Sequence, residues 1–220
     1  MINIAIDGPA GAGKSTIARK IAAEMGYVYV DTGAIYRSIA YACNFAGIEA
    51  AFPERVKAYI EPLDIDLEYI DGIQHVYVNG EDVSDRIRTP EVSAMVSAYA
   101  ALPCVRDRLL GFQRDIAKRQ SVVMDGRDIG TVVLPDADVK IFLTASPEVR
   151  AKRRFDELCS KGESPVYEEI LAAVNARDKA DSTRETAPLK QADDAILLDT
   201  SGLDIDAAVK AAVDIIEKAR

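Results

Sequence analysis

Residues Ile2–Ser15 read INIAIDGPAGAGKS, an apolar run that ends in an acid and enters a glycine-rich loop closed by lysine and serine. From Gly8 the spacing fits G-x-x-x-x-G-K-[ST], with the context that motif requires, a strand before it and a helix after it. Glycines let the backbone pass close to phosphate oxygens and aim its N–H groups inward. The helix that follows adds its positive N-terminal end. Lys14 supplies a mobile cation for β- and γ-phosphates, and the Ser15 hydroxyl is a ligand for Mg²⁺. Gly8, Pro9, Ala10, Gly11, Ala12, Gly13, Lys14, Ser15 and Thr16 therefore read as the cradle of a nucleoside triphosphate.

Working outward, the rest of the chain repeats the strand–helix alternation that this loop begins. INIAID (2–7), YVYV (27–30), SVVMD (121–125), VKIFLTA (139–145) and AILLDT (195–200) are short runs without polar alternation. Such runs suit a parallel sheet covered on both faces. The first helical stretch, about 14–25, puts Ile17, Ala18, Ile21, Ala22 and Met25 on one stripe. The last, 204–219, does the same with Ile205, Ala208, Val209, Ala212, Val213 and Ile216. The pattern predicts a doubly wound α/β fold, a five-stranded parallel sheet with helices on both faces. One segment breaks it. In 63–84 strand-like runs flank Asp71-Gly72, and Asn79-Gly80 follows, two dipeptides that favour the positive φ of hairpin turns. This predicts a small antiparallel β insert followed by two helices, about 90–118. His75 falls inside it and reads as a surface strand residue. The division is one domain: a core of about 1–62, 119–148 and 190–220, an insert of 63–118 and a helical flap of 149–185.

Composition narrows the class. A formal net charge of −9 argues against a general nucleic-acid binder, which needs a basic surface to displace counterions. It leaves room for a small anionic ligand, which feels only the local field. No apolar run approaches the roughly 20 residues that cross a bilayer, and INIAID lacks a signal-peptide pattern. Three scattered cysteines and one histidine offer little for a disulfide framework or a soft metal site. A reducing, cytoplasmic location is expected.

A phosphate-binding loop serves switches, motors and kinases alike. The guanine-reading NKxD pattern is missing, since NARD (175–178) has Arg for Lys and lies in a helical stretch, and nothing resembles LSGGQ. A kinase for a small acceptor needs a second set of cations instead. Asp31-Thr-Gly-Ala-Ile-Tyr-Arg37 opens a helix at the carboxyl end of the second strand, and Asp125, Arg127 and Asp128 follow the third. Parallel strands deliver these ends to one edge, where open α/β sheets bind ligands. Arg150, Arg153 and Arg154 share a helical face, as do Arg177, Asp181 and Arg184. Two arginine-bearing helices around Gly162, with Ser164 and Pro165, look like a flap able to close over phosphates and exclude water.

At this point IAIDGPAGAGKST, DTGAIYR, VYVNGEDVSDRIRTPEVS, MDGRDIGTVVLPDADVKIFL and RDKADSTRETAPL, in that order, resemble bacterial-type cytidylate kinases of the P-loop nucleoside monophosphate kinase superfamily. The likeness runs from residue 1 to about 200. The insert motif and DGRDIGTVV carry most of its specificity. It implies γ-phosphate transfer from ATP to CMP or dCMP with Mg²⁺, in pyrimidine nucleotide metabolism, by a monomer with an enlarged monophosphate-binding insert and a lid. Thr32 stands where relatives often have Ser and keeps the hydroxyl. Motif by motif, Tyr36 and Arg37 belong with Thr32 to the CMP site, and Arg37 and Arg127 would grip the acceptor phosphate. Ser97, Arg106 and Asp128 would read cytosine, while Arg177, Asp181 and Arg184 would meet the nucleotide from the lid. Lys14, Arg127, Arg153 and Arg177 are the catalytic candidates, with Arg150 and Arg154 beside ATP. Asp125 would either hold Mg²⁺ with Ser15 or orient Arg127. RDKADSTRE carries fewer Asp and Arg than relatives do, which implies altered detail in lid closure. Cytosine offers an amino donor beside ring-nitrogen and carbonyl acceptors, for which an Asp with Arg and Ser is the complement. A kinase for another small acceptor such as UMP, and a nucleotide switch without turnover, remain the alternatives.

Overall fold

The computed structural model describes residues 1–219. β1 (Asn3–Asp7), β2 (Val28–Asp31), β6 (Val122–Gly126), β7 (Val139–Thr144) and β8 (Ile196–Asp199) form a parallel sheet in the order β2-β6-β1-β7-β8. α1 (Lys14–Met25) carries the chain from β1 across the place of β6 to the edge strand β2. α2 (Thr32–Phe45), α3 (Pro53–Ile60), α4 (Pro90–Ala100) and α5 (Pro103–Arg119) lie in the return from β2 to β6. Right-handed crossovers in opposite directions put these helices on opposite faces. Ile4 and Ile6 of β1 accordingly pack with Ile17 and Ile21 of α1 and with Ala212 and Ile216 of α8 (Ile205–Ala219). Ala5, between them, joins the other core with Ile35, Ile39 and Leu109. The central strand is therefore buried on both sides.

β3 (Ile65–Ile70), β4 (Ile73–Val78) and β5 (Glu81–Asp82) form the separate antiparallel sheet. Its two turns fall at Asp71-Gly72, with φ of 52° and 75°, and at Asn79-Gly80, with φ of 51° and 78°. Val76 and Val83 pack on Ala34 of α2, with Ile87 of the 3-10 turn Arg86–Arg88. His75 is half-buried, and its Nδ1 lies 2.8 Å from the Asp82 carboxylate.

Three details differ from the sequence reading. β8 is an edge strand rather than a buried one: Leu198 is buried, but Ile196 and Leu197 are 45% and 55% exposed. Ile205 is also exposed, because it stands at the first position of α8 ahead of the packed stripe that begins at Ala208. α6 (Pro147–Ser160) and α7 (Tyr167–Thr183) form the flap, and α7 ends one residue before Arg184. Arg184 has extended backbone, and its Nε donates to the Ala187 carbonyl at 2.7 Å, so the residue after the helix delivers it rather than a helical face.

Candidate active site

Register fixes the floor of the site. Asp31 pairs with Asp125, and Gly126 with Asp7, so three acids stand at or one residue before the ends of three neighbouring strands. All three are buried and each has a separate occupation. Asp7 accepts from the Ile129 and Gly130 amides at 2.8 and 2.7 Å. Asp125 accepts from the Ser15 hydroxyl and the Tyr29 hydroxyl, both at 2.9 Å. Asp31 caps α2 by accepting from Ala34 N at 2.8 Å and holds Arg37 at 3.1 Å. Burial raises Asp7 to about 6 against the two amide bonds, and burial with the neighbouring Asp31 charge raises Asp125 to about 6. Lys14 donates to the Pro9 carbonyl at 2.8 Å. Burial, then the Arg127 charge, lowers its ammonium to about 7. Burial thus disfavours the charged forms of both acids and of the lysine on this floor.

Close backbone approach explains two glycines. Gly8 has φ of 149°, and a Cβ there would stand 1.9 Å from the Leu143 carbonyl oxygen. A Cβ at Gly126 would meet Ile129 Cδ1 at 2.6 Å and the Thr32 hydroxyl at 2.7 Å. That hydroxyl donates to the Asp125 carbonyl, also at 2.7 Å, and locks α2 to the end of β6. Beyond Gly126 the chain does not make a simple tight turn. It forms a π-helical turn, Ile129–Val133, with Val133 N donating to the Asp128 carbonyl at 3.1 Å. The Asp7 carboxylate receives the first two amides of that turn, as an anion does at a helix start.

One cleft of about 470 Å³ brings the candidates together. It runs from Ala10, Gly11 and Gly13–Thr16 past Thr32, Tyr36 and Arg37 to Ser97, Arg106, Asp125 and Arg127. Asp128, Arg150, Arg153, Arg154, Arg177, Asp181 and Arg184 complete its charged wall. Gly8, Pro9 and Ala12 stand behind it as backbone supports. Asp128 is buried, with one carboxylate oxygen hydrogen-bonded to Arg106 and the other 3.6 Å from Arg184. The Arg106 guanidinium also lies over the Tyr36 ring, 5.5 Å from its centre. Arg127 donates from Nε to Asp181 at 2.8 Å, joining the end of β6 to α7. Burial first, then neighbouring arginines, lowers the guanidiniums of Arg177 and Arg184. Arg37 Nε, Arg177 Nε and Arg184 Nη2 are buried without a hydrogen-bond partner. Unpaired buried donors of this kind are expensive unless an anion completes them.

The three arginines of α6 separate sharply. Arg150 is buried and donates to the Ala145 and Ala10 carbonyls, at 2.8 and 3.1 Å, and through both terminal nitrogens to Asp178, at 2.9 and 2.5 Å. It pins the phosphate loop to α7. Arg153 donates to the Thr200 carbonyl at 2.8 Å and the Ala12 carbonyl at 3.3 Å. Arg154 is more exposed and pairs with Glu157 at 2.8 Å. Asp7 and Asp178 carry weight that the motif reading does not give them. Asp7 had a signal, an acid at the end of an apolar strand like Asp125. Asp178 had none beyond its place on a charged helix.

The sequence matches the family model described as cytidylate kinase over residues 4–218. A cytidylate kinase of Exiguobacterium sp. is 49% identical over 219 residues, covering 100% of this chain and 98% of that protein. Another, from Bacillus cereus, is 47% identical over 215 residues, covering 98% and 96%. Among solved structures, a protein from Eubacterium ventriosum superposes with a TM-score of 0.56 at 15% identity, covering 99% of each chain. A shikimate kinase from Bacteroides thetaiotaomicron gives 0.50 at 14%, covering 98% of each. At such identities these two share the fold. Sequence and cleft together place the chain in the cytidylate kinase family.

Proposed function

We infer that the chain is a nucleoside monophosphate kinase that moves the γ-phosphate of ATP to CMP or dCMP, giving ADP and CDP or dCDP. The observation that carries this is one cleft holding both a phosphate-loop lysine and a buried Asp128–Arg106 pair. The first suits the donor, and the second suits a base with adjacent amino and acceptor groups. In this reading Lys14 and the loop amides hold the ATP phosphates, while Arg37 and Arg127 orient the acceptor phosphate in line. Arg177, Arg153 and Arg154 stabilise charge on the moving group, and Arg150 holds the loop in place beneath it. Phosphoryl transfer depends on such positioning more than on a base, because the acceptor phosphate is already largely ionised.

The Ser15 hydroxyl and the Asp125 carboxylate face each other at 2.9 Å, an all-oxygen pair of the kind a hard cation prefers. Among the described residues no cluster of three His, Cys, Asp or Glu could hold a metal alone, which fits an ion that arrives with the triphosphate. Bound there, Mg²⁺ would neutralise charge on the β- and γ-phosphates. We take 63–118 as the acceptor insert and 149–185 as a lid that closes through α6 and α7. We take the chain to act as a monomer, as the family resemblance implies. A cytoplasmic place in pyrimidine nucleotide metabolism goes with three free cysteines and an acidic surface that does not favour nucleic acid. No helix among the described residues is long and apolar enough to cross a membrane. ADP release with CMP, dCMP, UMP, AMP or no acceptor is the test. Turnover confined to CMP and dCMP is expected. Equal turnover without an acceptor makes the chain an ATPase, and none with any acceptor a binding module.

A further inference from the structure

We propose that Gln74, on β4 of the small sheet, is a positioning residue for the acceptor-phosphate site. The proposal rests on the CMP kinase reading and adds a residue to it. β2 is the edge strand of the main sheet, and Asp31 ends it. In a parallel strand the N–H and C=O of one residue point to the same side, so those of Asp31 would face an absent neighbour. Gln74 fills that place. Its Oε1 accepts from Asp31 N at 2.8 Å, and its Nε2 donates to the Asp31 carbonyl at 3.3 Å. Gln74 is buried, two residues from Val76, which packs on Ala34 of α2. One strand of the insert thus grips the start of α2 at an apolar point and a polar one.

What Gln74 holds is a hub. The Asp31 carboxylate caps α2 at Ala34 and binds Arg37 at 3.1 Å, and Arg88 of the insert stands 3.6 Å away. Arg37 Nε, buried and without a partner, is the group that a shift of Asp31 would displace. Gln74 does not line the cleft, so its effect passes through Asp31 and Arg37. The amide of Gln74 accepts with one atom and donates with the other, meeting both groups of Asp31 at once. Leucine does neither, and an ionised glutamate accepts only.

The test is steady-state kinetics of wild type, Gln74→Leu and Gln74→Glu between about pH 5.5 and 8.5, with melting temperature alongside. Gln74→Leu loses two hydrogen bonds and should raise KM for CMP roughly tenfold at every pH, with KM for ATP within about twofold. Gln74→Glu should match that rise at high pH. It should return toward wild type as pH falls and the acid regains an O–H to offer the Asp31 carbonyl. The charged and titratable groups about that position are Asp31, Arg37, Arg88, Asp125 one strand further in, and Tyr69 opposite on β3. Each value is therefore read as a ratio to wild type at the same pH. Gln74→Glu keeps the shape and one hydrogen bond, and it carries the test alone if Gln74→Leu does not fold. A KM for CMP within twofold of wild type throughout overturns the proposal, as does a joint rise of both KM values or a pH-independent Gln74→Glu ratio. A wild type that phosphorylates no nucleoside monophosphate overturns the acceptor reading, and the proposal with it.

Discussion

Asp128→Asn should exchange the preference for cytosine for one that favours uracil. In the structure one oxygen of Asp128 is taken by Arg106, and the other, 3.6 Å from Arg184, is left to accept from a base. That leaves one charge-assisted hydrogen bond to the cytosine amino group, on the order of 1.5–3 kcal/mol, or about 10- to 150-fold in kcat/KM. Uracil has a carbonyl at that place and meets a carboxylate with no proton to give. In the variant Arg106, which can only donate, takes the amide oxygen and turns the NH₂ toward the base. That NH₂ opposes the cytosine amino group and suits the uracil carbonyl. The CMP:UMP ratio of kcat/KM should therefore fall by at least about tenfold, to parity or below. The substitution also leaves Arg106 and Arg184 without their counter-charge, so melting temperature should drop. The ratio is insensitive to that loss, because both acceptors see the same folded fraction. A folded Asp128→Asn whose CMP:UMP ratio stays within about threefold of wild type would refute the assignment of Asp128 to the base.

Arg127→Ala should cut kcat on the order of a hundredfold or more with the far-ultraviolet spectrum unchanged, measured by coupled ADP release; near-normal turnover removes Arg127 from the acceptor phosphate. Gly126→Ala should lower stability by about 1–3 kcal/mol, because its Cβ would stand 2.6 Å from Ile129 Cδ1, and thermal unfolding should register a loss of several degrees. Arg150→Ala should raise KM for ATP more than KM for CMP, since Arg150 ties the Ala10 carbonyl to Asp178; equal rises would mark it as purely structural. Asp7, folded at about 6 against 3.8 for a free carboxyl, should give opposite trends in binding and stability. The folded chain takes up the proton first, so this group adds stability as pH falls from about 6 to 3.8, while the Ile129 and Gly130 amides lose the charge on their acceptor and one of the two bonds weakens. KM for CMP should rise through the same window, and Asp7→Asn should flatten that rise.

The alternation of strand and helix was legible because parallel central strands need unbroken apolar runs, and INIAID and SVVMD supply them. Where burial is one-sided the same signal misleads. AILLDT has the composition of a central strand but lies at the edge, with Ile196 and Leu197 exposed. The insert was legible from Asp71-Gly72 and Asn79-Gly80, since few other residues accept positive φ. The members of the cleft were legible from motif and strand-end position, because topology alone brings Lys14, Arg37 and Arg127 to one edge. Their division of labour was not. Arg150, Arg153 and Arg154 read as three equal cations on one face, yet Arg150 is spent on backbone carbonyls and Asp178. Such a difference depends on which carbonyls a neighbouring loop presents, and sequence periodicity carries no trace of that. Gln74 is the extreme case: its partner is backbone 43 residues away.

The charge balance follows from the same geometry. The chain carries −9 overall, whereas nine basic and five acidic side chains line the cleft, an excess of four positive charges. An acidic exterior around a basic crevice repels polyanions that need an extended surface, yet it focuses the local field on a ligand small enough to enter. The acids inside the crevice do not simply cancel this effect, because three of them hold the cleft's own arginines in position. Asp31 holds Arg37, Asp128 holds Arg106 and Asp181 holds Arg127. Removing one of these acids therefore differs from adding a positive charge. Net attraction for phosphate would rise, while the guanidinium aimed at it would lose its orientation. Transfer should slow even where nucleotide binding tightens, because positioning of the phosphates, more than their capture, sets the rate.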